Sequence, residues 1–349
     1  MKRPIRNTVR SGIRPLLLSV FSAGIVSGAA QAAAAAELNV YSHRQPVLIK
    51  PFLQAFEKET GVKVNVVFAA KGLVQRMLAE GPRSPADVVL TVDIARLSVY
   101  AEKNLLAPVD SKILETNIPS HLRDRDNRWF GLSTRARVVA ISAERVKPSD
   151  IRRIEDLADP KWKGRVCTRP GSHVYNRALL ASLIAANGEK AAETWARGLV
   201  ANLARKPQGN DRAQAKAIFE GICDVAIMNS YYYGLMKTSK AAAQRDWAKA
   251  VRILFTNQAD RGTHVNISGG GVARHSKHKE TAVRLLEFLS QPAAQKLYGK
   301  INYEFPANPK AESSAEVESW DSFKADTLSI DRIAELAPAA QKIIDKVGW

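Results

Sequence analysis

The sequence predicts an α/β protein built as two lobes, and three observations predict it. From Leu38 onward, short apolar or alternating runs take turns with stretches of helical periodicity, the sign of βαβ units on a mostly parallel sheet. Two long β-type stretches, 132–141 and later 251–255 with 262–272, suit a crossing from one lobe to the other and a return. The length of 349 residues is about twice that of a usual single domain, which makes two domains the prior.

The elements follow in order. Residues 1–14 carry Lys2, Arg3, Arg6, Arg10 and Arg14 and no acid. An apolar stretch over 15–28 comes next, then Ala29-Ala30-Gln31-Ala32, which fits a small-x-small cleavage site. These are the three parts of a secretory signal, and the apolar stretch falls short of the roughly 20 residues that span a bilayer. Residues 1–36 therefore read as a signal peptide rather than a permanent anchor. Residues 38–42 read as a strand. Residues 47–60 read as a helix, with Leu48, Phe52, Ala55 and Phe56 at helical spacing and Gly61 as its stop. Residues 62–68 alternate as a strand, 73–80 form a helix ended by Gly81-Pro82, 86–91 a buried strand and 94–103 a helix. After the first crossing come a strand at Cys167, helices at 176–187, 190–202 and 213–220, and a strand at 223–228. The return crossing leads into helical stretches at 279–298 and 328–347.

The lobes then divide as 37–133 plus 262–307 and 134–261 plus 308–349, with a hinge and a cleft between them. Ligands in α/β proteins bind outside the carboxyl ends of strands, which brings Tyr41, Thr91, Thr168 and Asn229 toward the cleft.

Composition narrows the class. With 46% hydrophobic and 25% charged residues, long disorder, collagen-like repeats and a polytopic membrane protein are excluded. Lys and Arg number 52 against 34 Asp and Glu, a net charge of +18 that becomes +13 once the five basic residues of the signal are removed. An exported chain does not meet genomic DNA or cellular RNA. The charge points instead to anionic ligands, a membrane surface, an acidic partner or a plain solvated surface. The two cysteines, Cys167 and Cys223, are an even count in an oxidising compartment, which favours one disulfide over two separate buried thiols.

The tyrosines carry the chemistry. Three of the eight are consecutive, in Asn229-Ser230-Tyr231-Tyr232-Tyr233-Gly234, directly after a strand. A strand sends neighbouring side chains to opposite faces, whereas a loop or helix start can aim two of them at one point. Phenolate is a hard anionic oxygen donor. Its proton, with a pKa of about 10, yields only to a strongly cationic partner, and metal binding releases ligand protons. Ferric iron fits; an aromatic core cluster or a sugar-stacking platform are the other readings of the same residues.

The motif 229–234 resembles the N-[ST]-Y-Y-x-G signature of periplasmic ferric-iron-binding proteins, the solute receptors of ferric iron ABC importers. The resemblance covers nearly all of residues 37–349. Asn39-Val40-Tyr41-Ser42-His43-Arg44 is similar to that family's first strand and 86–93 to its third. Residues 131–137 are similar to its crossing, 262–271 to its return and Lys346-Val347-Gly348-Trp349 to its end. The resemblance implies the two-lobe, type II periplasmic binding protein fold with two mixed-sheet domains. It also implies Tyr231 and Tyr232 as paired phenolate ligands, and Tyr175 as a third ligand found in one branch. Tyr233 holds a position that is usually apolar and stays out of the shell.

The chain departs from the pattern at one place. Many relatives carry His or His-Tyr after the arginine of the first strand motif, where this sequence has Gln45-Pro46. Gln45 offers a neutral carbonyl, His43 lies two places early, and Asp93 lies near a carboxylate ligand of some relatives; these three are the further metal candidates. Water or an anion such as carbonate fills what remains, with Arg135 and Arg44 as anion or supporting contacts. The expected protein is a periplasmic Fe3+ carrier and not an enzyme. It would be monomeric, delivering iron to an ABC permease in the inner membrane without touching nucleic acid. The alternative is a receptor of the same fold for an organic anion, a polyamine or a sugar. A hydrolase using His173 or His264 finds no G-x-S-x-G or H-E-x-x-H in support.

Overall fold

The computed structural model describes residues 37–349, so the signal-peptide expectation for residues 1–36 lies outside the described residues. The predicted alternation opens the fold as β1 (Glu37–Ser42), α1 (Pro46–Thr60), β2 (Lys63–Phe68), α2 (Leu73–Glu80), β3 (Val88–Thr91) and α3 (Ile94–Glu102). Gly61 ends α1 with a φ of 71°, a conformation that costs glycine little. α4 (Lys112–Asn117) and the long strand β4 (Phe130–Ser142) follow. Then come β5 (Val166–Cys167), α5 (Val174–Asn187), α6 (Glu189–Ala201), α7 (Asp211–Phe219), β6 (Val225–Asn229), α8 (Ser230–Lys237), α9 (Ala242–Lys249), β7 (Val251–Leu254) and β8 (Val265–Val272). The chain closes with α10 (Lys279–Ser290), α11 (Pro292–Leu297), β9 (Phe305–Pro306), α12 (Ala315–Glu318) and α13 (Ile330–Val347). Helices α4 and α9 have no counterpart in the sequence reading. Each buries one residue, Leu114 and Ala248 respectively, so neither shows an apolar stripe.

Among the described residues the strands join in the order β2-β1-β3-β8-β4-β6-β5, with β7 and β9 also on β4. β1 is parallel to β2 and β3, and β5 is parallel to β6. Every pairing of β4 and β8 is antiparallel. The sheet is therefore mixed, as the resemblance implies, rather than mostly parallel as the alternating pattern alone suggests, because a strand that crosses over and one that returns run in opposite directions. β4 changes partners midway. Residues 130–136 pair with β8, and residues 137–141 pair with β6. Arg135 and Arg137 sit on either side of that change, opposite Asn266 and Asn229.

Among the described residues the apolar side chains gather in three clusters. One packs Ile49, Phe52 and Phe56 of α1 and Leu285, Leu286 and Leu289 of α10 on Leu38, Val40, Val88 and Leu90. A second joins α5, α6 and α13, with the terminal Trp349 edge-on to Trp195 at 5.7 Å. The third lies along the far half of β4, with Ala136, Val138, Met228, Met236 and Trp320. Cys167 on β5 and Cys223 just before β6 form a disulfide, their Cα atoms 5.9 Å apart, which decides between the two cysteine readings.

Candidate functional site

Two neighbouring parallel strands assemble the site. β5 and β6 pair in register at Val166–Val225 and Cys167–Ala226, so the chain leaves both at the same edge of the sheet. The α5 helix that follows β5 and the α8 helix that follows β6 therefore start side by side. Tyr175 is the second residue of α5; the sequence reading placed it just before a helix beginning at 176. The helix begins earlier because His173 caps it, accepting a hydrogen bond from the Tyr175 N–H at 3.3 Å. Tyr231 and Tyr232 are the second and third residues of α8. The Tyr175 and Tyr231 hydroxyls lie 3.2 Å apart, and the Tyr231 and Tyr232 rings lie 4.3 Å apart at 35°. Tyr233 packs against Trp320 instead, at 6.1 Å. The glycine of the motif has a steric reason: a Cβ on Gly234 would come within 2.5 Å of the Tyr303 ring.

A buried polar network fixes these helix starts. Arg137 donates to Asp211 at 2.6 Å, to Asn229 at 3.0 Å and to Asn176 at 2.6 Å, and Arg169 donates to the other Asp211 oxygen at 3.1 Å. Asp211 also accepts from the Asn229 N–H at 2.8 Å. The strand end before α8, the start of α7 and Asn176, the third residue of α5, are thus locked to one arginine. Asp211 is completely buried but fully partnered, the condition under which a buried charge is tolerated.

Tyr175, Tyr231 and Tyr232 line a cavity of about 180 Å³ together with His43, Arg44, Gln45, Arg135, Arg212 and Glu304. The other sequence candidates behave differently from the tyrosines. The His43 Nδ1 donates to the Ala69 carbonyl at 2.9 Å, which leaves Nε2 to accept from the Tyr100 hydroxyl at 2.9 Å. Neither ring nitrogen retains a lone pair for a metal. Asp93 does not line the cavity. It caps α3, accepting from Ala95 N–H at 2.9 Å, and pairs with Arg135 at 3.3 Å. Arg135 also donates to the Val92 carbonyl and to Ser268. Arg44 pairs with Glu304 at 2.9 Å, and Glu304 takes further bonds from Ser133 and Ser268. Gln45 lines the cavity and makes no capping bond on α1.

Sequence reasoning missed two charged cavity residues. Glu304 meets Arg44 from 260 positions away. Arg212, in the first turn of α7, places its guanidinium 5.1 Å from the Tyr232 ring centre. Neither carries a local signal that would have singled it out.

The electrostatics favour neutral phenols until something cationic arrives. Burial, then the neighbouring Tyr175 and Tyr232, push Tyr231 well above the ordinary phenol pKa, with Arg135 opposing. Burial and Tyr175 raise Tyr232 too. The floor is nonetheless electropositive. Three guanidiniums, of Arg169, Arg135 and Arg137, lie 5.1, 5.8 and 5.8 Å from the Tyr175 ring centre. Both helices also aim positive dipole ends at the phenols. His173 and His264 are pushed down to about 3 by burial and nearby arginines, which keeps them neutral. Among the described residues no group of three His, Cys, Asp or Glu is placed to hold a metal, which leaves the phenols as the clustered donors.

The chain belongs to the family of bacterial extracellular solute-binding proteins, whose model matches residues 41–296. It has the two-lobe type II binding-protein fold and, like these relatives, is a binding protein rather than an enzyme. Iron uptake protein A1 of Synechocystis sp. is 44% identical to it, covering 90% of this chain and 87% of its own. Ferric iron-binding protein A of Mannheimia haemolytica, solved in an open conformation, superposes with a TM-score of 0.86 at 50% identity, over 90% of this chain and 99% of its own. A Trichodesmium protein solved in complex with iron and citrate ligands gives a TM-score of 0.87 at 42% identity, again over 90% and 99%.

Proposed function

We propose that this protein is a ferric iron receptor for import. It takes Fe3+ into the cavity on the phenolates of Tyr175, Tyr231 and Tyr232. The lobes 37–133 plus 262–307 and 134–261 plus 308–349 close over it, and the closed form is presented to an ABC permease. The observation that carries this reading is the 3.2 Å approach of the Tyr175 and Tyr231 hydroxyls between two helix starts. Two acidic oxygens that close, beside a third phenol and over a cationic floor, suit a trivalent hard cation that can displace their protons. The names of the relatives, iron uptake protein and ferric iron-binding protein, point the same way.

Three phenolates neutralise the ion and leave coordination positions open. Water, the Gln45 carbonyl or an oxyanion fills them; the Trichodesmium relative was solved in complex with iron and citrate ligands. Export to the periplasm on the 1–36 signal and action as a monomer complete the proposal. Arg212 in the lining, with no carboxylate partner among the described residues, favours an organic anion as the second reading and opposes a polyamine, which would meet like charge.

The test is the colour of the iron-loaded protein. Wild type with Fe3+ should show a phenolate-to-iron charge-transfer band, and the Tyr231→Phe, Tyr232→Phe double variant should lose both band and iron. A double variant that kept both, or a colourless wild type that bound an organic acid, would replace this reading with the second.

A further inference from the structure

Three guanidiniums line the cavity, and they are not equivalent. Arg44 is matched by Glu304 at 2.9 Å and Arg135 by Asp93 at 3.3 Å and the Val92 carbonyl. Below them, Arg137 and Arg169 share Asp211. Arg212 stands apart. It lines the same cavity, half-buried, with no carboxylate within 4.0 Å among the described residues, and its buried Nε has no partner there. Its place in the first turn of α7 sets a cation at the positive end of a helix dipole, the unfavourable end. What holds it is the face of Tyr232, 5.1 Å from its guanidinium carbon, a cation–π contact. A charge left unmatched in a cleft, against both its helix and its neighbours, is an open site for a negative ligand.

We propose that Arg212 anchors the oxyanion that enters the cavity with the metal. The ligand class is a carboxylate-type oxyanion, either inorganic carbonate or the carboxylate of an organic acid. Its oxygens meet the planar fork of the guanidinium in the bidentate geometry that arginine favours. Because Arg212 lies on Tyr232, an anion held there stands beside a phenolate of the metal shell and fills positions the three tyrosines leave open. This rests on the ferric reading above. It moves anion recognition away from Arg135 and Arg44, whose charges are already met, to a residue outside both the tyrosine motif and β4.

The experiment loads full-length mature protein with Fe3+ in carbonate-free buffer and follows the charge-transfer band while sodium bicarbonate, or in a separate arm citrate, is titrated in. Wild type, Arg212→Gln and Arg212→Lys are compared. In wild type at least one anion shifts the band, and which one does so separates the inorganic from the organic source. Arg212→Gln should hold iron less tightly and need roughly 10- to 100-fold more anion for half the shift, the range of a charged hydrogen-bonding group. Arg212→Lys, which keeps the charge without the fork, should fall between. Equal half-saturation in wild type and Arg212→Gln overturns the proposal, as does a wild-type band that neither anion moves. A wild type with no band at all overturns the ferric reading instead, so the two failures are distinguishable.

Discussion

The two walls of the cavity are built from opposite materials. One wall, the starts of α5 and α8, presents half-buried phenols, with Tyr231 and Tyr232 held above the ordinary phenol pKa and so able to exchange a proton for a cation. The other, around the ends of β1 and β3, presents groups whose bonding is already complete. His43 is used at both nitrogens and Arg44 is given to Glu304, and Asp93, behind the lining, is given to Arg135 and a helix start. The difference teaches that nearness to a cleft does not make a ligand. A side chain must have a lone pair left after its own neighbours are satisfied, and here one wall has kept its donors in reserve.

The largest effect should come from protons. The raised pKa values of Tyr231 and Tyr232 keep those hydroxyls protonated at neutral pH, and each phenol that ligates Fe3+ must release its proton. Apparent iron affinity then falls as pH falls, about tenfold per pH unit for each proton released. With three phenols the slope approaches a thousandfold. Proton release on adding Fe3+, measured by pH-stat, should approach three per ion; a count near zero would mean that the phenol wall is not the metal wall.

Next is the disulfide, which belongs to the phenol wall alone. It joins β5 to the entry of β6, the two strands that feed α5 and α8. Closing a loop of 56 residues contributes about 4 kcal/mol in the chain-entropy picture. A Cys167→Ser, Cys223→Ser variant should lose about that much stability in denaturant unfolding. Hydrogen exchange should rise first in the opening turns of α5 and α8 while β1 and β3 keep their protection. Uniform loosening of both walls would contradict the division.

Tyr175→Phe isolates the phenol that the tyrosine cluster does not contain. Removing one hydroxyl of the 3.2 Å pair should weaken iron binding by more than about 100-fold, the upper range for residues that merely support a metal site, and shift the charge-transfer band. Chelator competition reads the affinity. A change of a few fold would reduce Tyr175 to a positioning role.

The sequence shows the phenol wall better than its counterpart for a physical reason. Tyr231-Tyr232 at the end of a strand is a local pattern, and a strand end followed by a helix start constrains where both rings go. Tyr175 lies 56 positions from Tyr231 and became a candidate only through resemblance. The opposite wall depends on partners that local patterns do not reveal. His43 is occupied by Ala69 and Tyr100, Arg44 by Glu304, and Asp93 by Arg135, each far off in sequence. The same holds for the fold. The strand–helix alternation is local and was readable, whereas the antiparallel course of β4 and β8 follows from connections between lobes. Short α9, with one buried residue, leaves no periodic trace.

The smallest effect should come from Gln45, and its smallness is informative. Gln45 is the one sequence candidate on the opposite wall that both lines the cavity and lacks a committed bond. Its amide oxygen is neutral, so against a trivalent ion already held by three phenolates it competes with water on nearly equal terms. Gln45→Ala should therefore change iron affinity by less than about threefold, since a neutral hydrogen bond or dipole contact nets about 0.5–1.5 kcal/mol at most and water recovers part of it. Gln45→His tests the same wall from the other side. An imidazole at that position has no carbonyl and no hydroxyl assigned to it, unlike His43, so it can offer a lone pair. If it tightens iron binding and moves the charge-transfer band, the opposite wall is limited by its donors; if it changes nothing, the limit is the reach of the wall across the cleft.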